Sequence, residues 1–259
     1  MTGVELILLV SASVLIGGLG ALLGIGGGVL LVPVLALFFN VPMHIAIGAG
    51  LIAVIGSSCA ASSVYVGRGM ANVSLALTLE IATTLGALTG GIMAGLISGK
   101  ALSLFFGLMM LYVAYHMGRG GLKRTVSPQE TKEWTGTRRI FSLGLAVSYL
   151  AGNISGLLGI GGGVIKLPAM YLIMRVPFRI AAATSSLMVG TTAAASAFIY
   201  YARGDMDLGI AGPAALGTFL GALVGARLLV RFRVSHLTLL FSLVMLYIAL
   251  RMIGKGLGL

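Results

Sequence analysis

Lys166 and Glu80 are the two charges that stand inside apolar stretches of this 259-residue chain. A lysine ammonium at membrane depth cannot easily reach water, and intramembrane charge is functional by default. The chemistry it offers is neutralisation of an anion. The alternatives are an ion pair with Glu80, or escape of the ammonium to an interface. Glu80 is in turn a candidate carrier of a coupling proton, although it lies about two turns from the end of its segment and could snorkel. Lys166 follows Gly-Ile-Gly-Gly-Gly-Val at 159–164, and the same six residues occur at 24–29. Each run leads to a proline, Pro33 or Pro168, and Gly24 and Gly159 open the two motifs. Consecutive glycines permit backbone conformations closed to other residues and leave their N–H groups uncovered. If helices follow the runs, Gly26, Gly27 and Gly28, with Gly161, Gly162 and Gly163, present the free donors of two helix N-termini, which suit an anion. The other use of small residues is close helix packing, the role assigned to Gly17, Gly18, Gly20, Gly86, Gly90 and Gly91. Hydroxyls recur at matched positions: Ser57, Ser58, Ser62 and Ser63 in one copy, Thr184, Ser185, Ser186, Thr191 and Thr192 in the other. They either coordinate an oxyanion or bond to the helix carbonyl a turn back. The substrate set read from the sequence is the six inner glycines, Lys166, Ser57, Ser58, Ser185, Thr191 and Thr192. Asn153 is placed to brace the second break.

Other chemistries lack their residues. A phosphate-binding loop would need Gly-Lys-Ser/Thr after the glycines, and a dinucleotide fingerprint a preceding strand and a following acid. No His, Asp and Glu constellation has metal-ligand spacing, and no nucleophile has a plausible base, so neither metal, cofactor nor enzyme is expected. Cys59 is the single cysteine, which excludes an intrachain disulfide. The net charge of +11 is spread over connections between apolar segments. That pattern orients a membrane protein rather than binding nucleic acid.

The elements that must position these groups are membrane helices. Hydrophobic residues make up 58% of the chain and charged residues 9%, far below the roughly 25% charge of a soluble domain. Shifting the sequence by 135 positions aligns Pro42 with Pro177, Tyr65 with Tyr200, Arg68-Gly69 with Arg203-Gly204, and Leu111-Tyr112 with Leu246-Tyr247. About a third of positions 24–118 match without a gap, the mark of a duplicated unit. Five apolar segments fall in each half: 4–23, 29–39, 44–66, 73–97 and 101–118, then 140–158, 164–174, 179–201, 208–231 and 236–253. The second of each set is too short to span and reads as a half-helix starting within the membrane. Whether it forms a re-entrant hairpin with the segment before it stays open. Either way the crossings per half are odd, so the halves should be inverted. The N-terminal segment lacks a basic leader and reads as a permanent helix.

Charges support this topology. The loop 119–139 carries Arg119, Lys123, Arg124, Lys132, Arg138 and Arg139 against Glu130 and Glu133, and is expected in the cytoplasm. Arg68, Arg175, Arg179, Arg231 and Arg233 then fall inside, and His44, Lys100, Asp205 and Asp207 outside. Arg203 and Lys255 break the bias by falling outside. The chain therefore divides into a first membrane repeat at 1–118, a cytoplasmic linker at 119–139 and a second repeat at 140–259. The fold class is an all-α polytopic bundle with two inverted repeats. Monomer and homodimer both stay open.

Two copies of Gly-Ile-Gly-Gly-Gly-Val followed by proline, in a chain of this length, resemble the sulfite exporter family TauE/SafE. The likeness covers nearly the whole chain, with Gly24, Gly26, Gly27, Gly28 and Pro33, and Gly159, Gly161, Gly162, Gly163 and Pro168, on the signature. It implies a multi-pass protein of the cell's inner membrane that exports sulfite or a small organosulfonate. The lipid bilayer and a small anion are then its partners, with proton coupling an open option. Without a nucleotide site, transport would be secondary, by alternating access. A carrier of another small anion, an anion channel and a membrane scaffold are the competing readings.

Overall fold

In the computed structural model the described residues are 3–118, 138–174, 176–228 and 234–258. They form helices α1 (Gly3–Leu23), α2 (Gly28–Phe38), α3 (Met43–Gly67), α4 (Val73–Ala94) and α5 (Gly99–Gly118). The second half contributes α6 (Arg138–Leu158), α7 (Gly163–Pro168), α8 (Phe178–Ala202), α9 (Leu208–Leu228) and α10 (Val234–Leu257). No strand occurs among these residues. The loop charges Arg119, Lys123, Arg124 and Lys132, together with Arg175, Arg231 and Arg233, lie outside the described residues. Five described helices, α1, α3, α4, α8 and α9, are long and apolar enough to cross a membrane. Leu15, Ile81, Phe198 and Leu216 project from them, each about two-thirds exposed. Such side chains on a polytopic bundle are its lipid-facing surface.

Helix boundaries follow local chemistry that the two halves share. Pro42 and Pro177 precede α3 and α8 in near-identical extended conformations, φ −53° and −54°. Asn72 accepts the Leu75 N–H at the start of α4, and Asp207, its equivalent after the 135-residue shift, accepts the Gly209 N–H beside α9. Both are side-chain caps for donors that a helix start leaves free. Tyr65 and Tyr200, fully buried, donate their hydroxyls to Ala21 O and Leu157 O at 2.8 and 3.1 Å. These carbonyls lie in the last turns of α1 and α6, where a helix leaves its acceptors short of partners; Ala21 O also takes the Gly24 N–H at 3.1 Å. The halves differ after the prolines. Pro33 lies within a continuous α2, whereas Pro168 ends α7 and the chain continues as a π-helical turn over Ala169–Ile173. Met174 N–H closes it onto Ala169 O.

The halves do not fold separately. The helix α4 of the first half lies along α6 and α8 of the second; its duplicate α9 lies along α1 and α3 of the first. Two bodies result, one of α1, α2, α3 and α9, the other of α6, α7, α8 and α4. They meet where α3 crosses α8, and α5 pairs with α10. Glycine makes the exchanged contacts possible. A Cβ on Gly86 or Gly90 would fall 2.0 Å from the carbonyl oxygens of Tyr149 and Asn153 on α6. On the other side a Cβ on Gly221 would fall 1.9 Å from Val14 O, and one on Gly17 2.2 Å from Thr218 O. These glycines are packing residues, as expected. Gly20 differs, because it abuts the first glycine run: a Cβ on it would fall 2.8 Å from Gly27 N.

The two cations that break the charge bias have local partners. Arg203 donates Nε–H to Asp205 at 2.7 Å and Nη1–H to Gly91 O at 2.8 Å, and its guanidinium lies 4.4 Å from the centre of the Tyr200 ring. Lys255 donates to Ala36 O, a carbonyl in the last turn of the short α2. Both are held by protein groups and carry little topological information.

Gly90→Ala should therefore force α4 and α6 apart and destabilise the protein by about 2 kcal/mol. Gly254→Ala on α10, where a Cβ meets nothing within 4 Å, should leave stability unchanged or slightly raised. Thermal unfolding of the two variants in detergent checks the pair.

Candidate functional site

Each glycine run breaks the chain between a long helix and a short one. Gly26 and Gly161 hold φ of 82° and 72°, the left-handed region that side chains resist. Immediately after, Leu30 and Leu31 bond back to Gly27 O, and Ile165 and Lys166 to Gly162 O, at 3.0–3.3 Å. The two breaks touch. A Cβ on Gly28 would lie 2.6 Å from Gly159 O, and one on Gly163 would lie 2.7 Å from Ile25 O. Val54 of α3 and Val189 of α8, equivalent residues, both flank Gly26 and Gly161. Gly24 and Gly159 press in the same crosswise way on Ala182 and Ile47 of the opposite half. The sequence-expected glycines thus converge, with α2 and the α7 segment starting at one seam. Each short segment is 11 residues long, about 16 Å, half a hydrocarbon layer.

One polar cluster lies beside this seam. Lys166 is 2% exposed; its stem passes Gly162, and its ammonium lies 3.4 Å from Glu80 Oε2 on α4. It also donates to Thr192 Oγ1 at 2.5 Å, leaving the Thr192 hydroxyl to donate to Glu80 Oε1 at 2.6 Å. Thr191 reaches the same oxygen at 2.6 Å, and Thr83 reaches Oε2 at 2.9 Å. A direct ion pair is thus doubled by a relay through Thr192. Of the readings open for Lys166, pairing with Glu80 is the geometry present.

The other expected hydroxyls do different work. Ser57 accepts the Gly27 N–H at 3.2 Å and donates to Val54 O at 3.1 Å; it braces the first break and occupies one of the donors assigned to an anion. Ser58 donates to Ser186 O at 2.5 Å, fastening α3 to α8. Ser185 is fully buried without a partner. Asn153 bonds to Thr89 on α4 and so braces the helix pair. Two residues escaped the sequence reading. Thr83 on α4 is one, although its repeat partner Thr218 was a visible match. Ser155 is the other: it is fully buried, its hydroxyl has no partner, and its Cβ lies against Gly162 beside the Lys166 stem. Its repeat equivalent is Gly20, so only its position four residues before Gly159 could have marked it.

The cluster exists in one body only. The equivalents of Lys166 and Glu80 are Leu31 and Ala215, and those of Thr192 and Thr83 are Ser57 and Thr218. Thr218 donates to Ala53 O at 2.9 Å, so the counterpart hydroxyls serve main chain. Beside Lys166 is a void of about 10 Å³ lined by Leu79, Ser148, Met170, Met174 and Met188, room for about one water. A larger cavity of about 260 Å³ near the end of α2 is bordered by Glu5 and Asp207, a setting that disfavours an anion.

Comparisons with known proteins agree with this architecture. Residues 9–252 match the model of the family described as Sulfite exporter TauE/SafE. A probable membrane transporter protein of Xylella fastidiosa (strain 9a5c) is 34% identical over 99% of this chain and 98% of its own. YunE of Bacillus subtilis (strain 168), also named a probable membrane transporter, is 24% identical over 96% of this chain and 98% of its own. The Arabidopsis thaliana sulfite exporter TauE/SafE family protein 5 is 35% identical over 48% of this chain and 28% of its own. No solved structure matches significantly.

Removing one partner of a buried ion pair costs about 3 kcal/mol or more, because the other charge is left unpaired. Lys166→Met should lower the unfolding temperature in detergent, and Lys166→Met/Glu80→Gln should recover at least half of that loss. Equal losses in the single and double variants would show that the pair does not couple.

Proposed function

The chain belongs to the sulfite exporter TauE/SafE family of membrane transporters, and from that premise we propose that it exports a small sulfur-containing anion across the cytoplasmic membrane. Sulfite or a small organosulfonate fits the reading. The observation that carries it is Lys166, the one buried cation of the described residues, set beside the seam where two glycine breaks meet. A compact oxyanion needs its hydration replaced by converging donors. Lys166, the unpartnered Ser155 hydroxyl and Thr192 can supply them, with the uncovered N–H groups of Gly161, Gly162 and Gly163. Gly26, Gly27 and Gly28 complete the opposite wall, and Pro33 and Pro168 sit within and end the short helices they face. Ser57 and Ser58 hold the seam's shape through their bonds to Gly27, Val54 and Ser186.

The exchange of α4 and α9 between halves supports an inverted repeat, because two odd-crossing units interlock in this way around a common midplane. Alternating access then follows as rocking of the two bodies about the glycine seam, where backbone rests on backbone and few side chains must repack. Transport is secondary, drawing on the gradient of the anion and of any ion coupled to it. A carrier of another small anion shares this geometry; a channel would require a continuous path past the seam.

Uptake of labelled sulfite into vesicles containing the purified protein should be accelerated by unlabelled sulfite inside, which a channel does not show. Lys166→Met should reduce it to the level of empty vesicles, and undiminished flux would remove Lys166 from the site. Ser155→Ala should raise KM about tenfold, the worth of one hydrogen bond to a charged group. It should leave the unfolding temperature unchanged or higher, since it deletes a buried unpaired hydroxyl.

A further inference from the structure

We propose that Glu80 and Lys166 form a proton-operated gate on the anion site: protonation of Glu80 releases Lys166 to the substrate, so one proton travels with each singly charged anion. The proposal rests on the transport reading above and adds the coupling to it.

Three observations lead to it. First, the pair is not needed to build the fold. The other body closes the same helix arrangement with Leu31 and Ala215 at the two equivalent positions, and Leu31 is fully buried. A buried ion pair is seldom worth more than its apolar replacement, so its presence in one copy calls for a use.

Second, the shell around Glu80 serves both protonation states. Thr83, Thr191 and Thr192 donate to the carboxylate at 2.6–2.9 Å. Each hydroxyl can instead accept the proton of a neutral Glu80 and turn its own hydrogen elsewhere. Thr191 and Thr192 already have Met188 O within 2.9–3.0 Å as a second acceptor. The carboxylate can therefore gain a proton without stranding a buried donor.

Third, access differs across the pair. The Lys166 side chain is 1% exposed and that of Glu80 12%, while Thr191 beside it is exposed. Glu80 is thus the more accessible partner, and the lysine faces inward toward Gly162 and Ser155.

The charges close the argument. Among the described residues, α8 faces Glu80 with Thr191 and Thr192 and α7 with Lys166; its own helix adds Thr83 and Thr84. On the adjoining α6, Arg138 and Arg139 open the helix, and the Tyr149 hydroxyl meets Thr89, nine residues along α4. Among the side chains described around Glu80, Lys166 is the one cation ready for an incoming anion. While Glu80 is ionised, an anion at Lys166 faces a carboxylate within a few ångströms, a strong repulsion at low dielectric. With Glu80 protonated, ammonium and monoanion cancel, so the site is neutral both empty and loaded. By linkage, anion binding raises the proton affinity of Glu80 as protonation raises anion affinity.

The test measures protons moved per anion in vesicles carrying a trapped pH dye. Probes are labelled sulfite, thiosulfate and methanesulfonate; the last two keep a fixed charge near neutral pH. The wild type should move about one proton with each methanesulfonate. For sulfite, the ratio in wild type should exceed that in Glu80→Gln by about one, a difference that cancels any proton carried by bisulfite. Glu80→Gln should bring the fixed-charge ratios to zero, at whatever rate it transports. Should it carry no flux, Glu80→Asp decides: the ratio stays near one and the pH midpoint of uptake moves from that of wild type. An unchanged ratio in Glu80→Gln, an unmoved midpoint in Glu80→Asp, or wild-type anion flux without protons would overturn the gate and leave transport standing. Absence of flux of every probe through the wild type would instead overturn the transport reading.

Discussion

The carbonyl oxygens of Gly159 and Ile25 lie only 2.6 and 2.7 Å from where β-carbons on Gly28 and Gly163 would be, closer than a side chain allows. That contact, main chain against main chain between the two halves, constrains the rest of the structure. It fixes where α1 and α6 stop, and Tyr65 and Tyr200 satisfy the carbonyls left there. It sets how closely α3 and α8 approach, with Val54 and Val189 filling the crossing. It also leaves two short helices starting at one place, which no pair of unbroken spanning helices could do.

Duplication gave the seam near two-fold symmetry, and the chemistry departs from it at two positions. Lysine for Leu31 and glutamate for Ala215 turn one body polar where its counterpart is dry. Such a substitution is tolerable only as a pair, because either charge alone at that depth would be uncompensated. The hydroxyls recur in both bodies: Thr83 and Thr192 have counterparts in Thr218 and Ser57, which serve backbone carbonyls and amides in the body without charges. Matched polar side chains thus act as structural braces in one body and as the shell of an ion pair in the other.

Much of the fold was legible because apolar runs, proline and glycine act locally. Segment 44–66 became Met43–Gly67 and 179–201 became Phe178–Ala202; Pro42 and Pro177 announce both starts. The packing role of Gly86 and Gly90 was likewise readable from small residues in lipid. The exchange of α4 and α9 was not, since nothing in a helix's own residues names its neighbour. Lys166 could be singled out by its charge, but its pairing with Glu80, 86 residues earlier, depends on that exchange. The same ignorance hid the place of Ser155 beside the Lys166 stem and the bond between Ser57 and the Gly27 N–H: a serine's partner is decided by what crosses it, and periodicity is silent on that. Arg203 and Lys255 looked like topological exceptions because a charge count does not see Asp205, Gly91 O or Ala36 O.

The proposed transport cycle stands on an anion held at Lys166 beside the glycine seam. Anomalous diffraction from crystals grown with selenite, an analogue of sulfite with a strong selenium signal, locates it directly. One selenium peak should lie within hydrogen-bonding reach of Lys166 Nζ and Ser155 Oγ, absent from crystals of Lys166→Met. A peak elsewhere in the protein with Lys166 still on Glu80, or one that persists unchanged without the lysine, would contradict it.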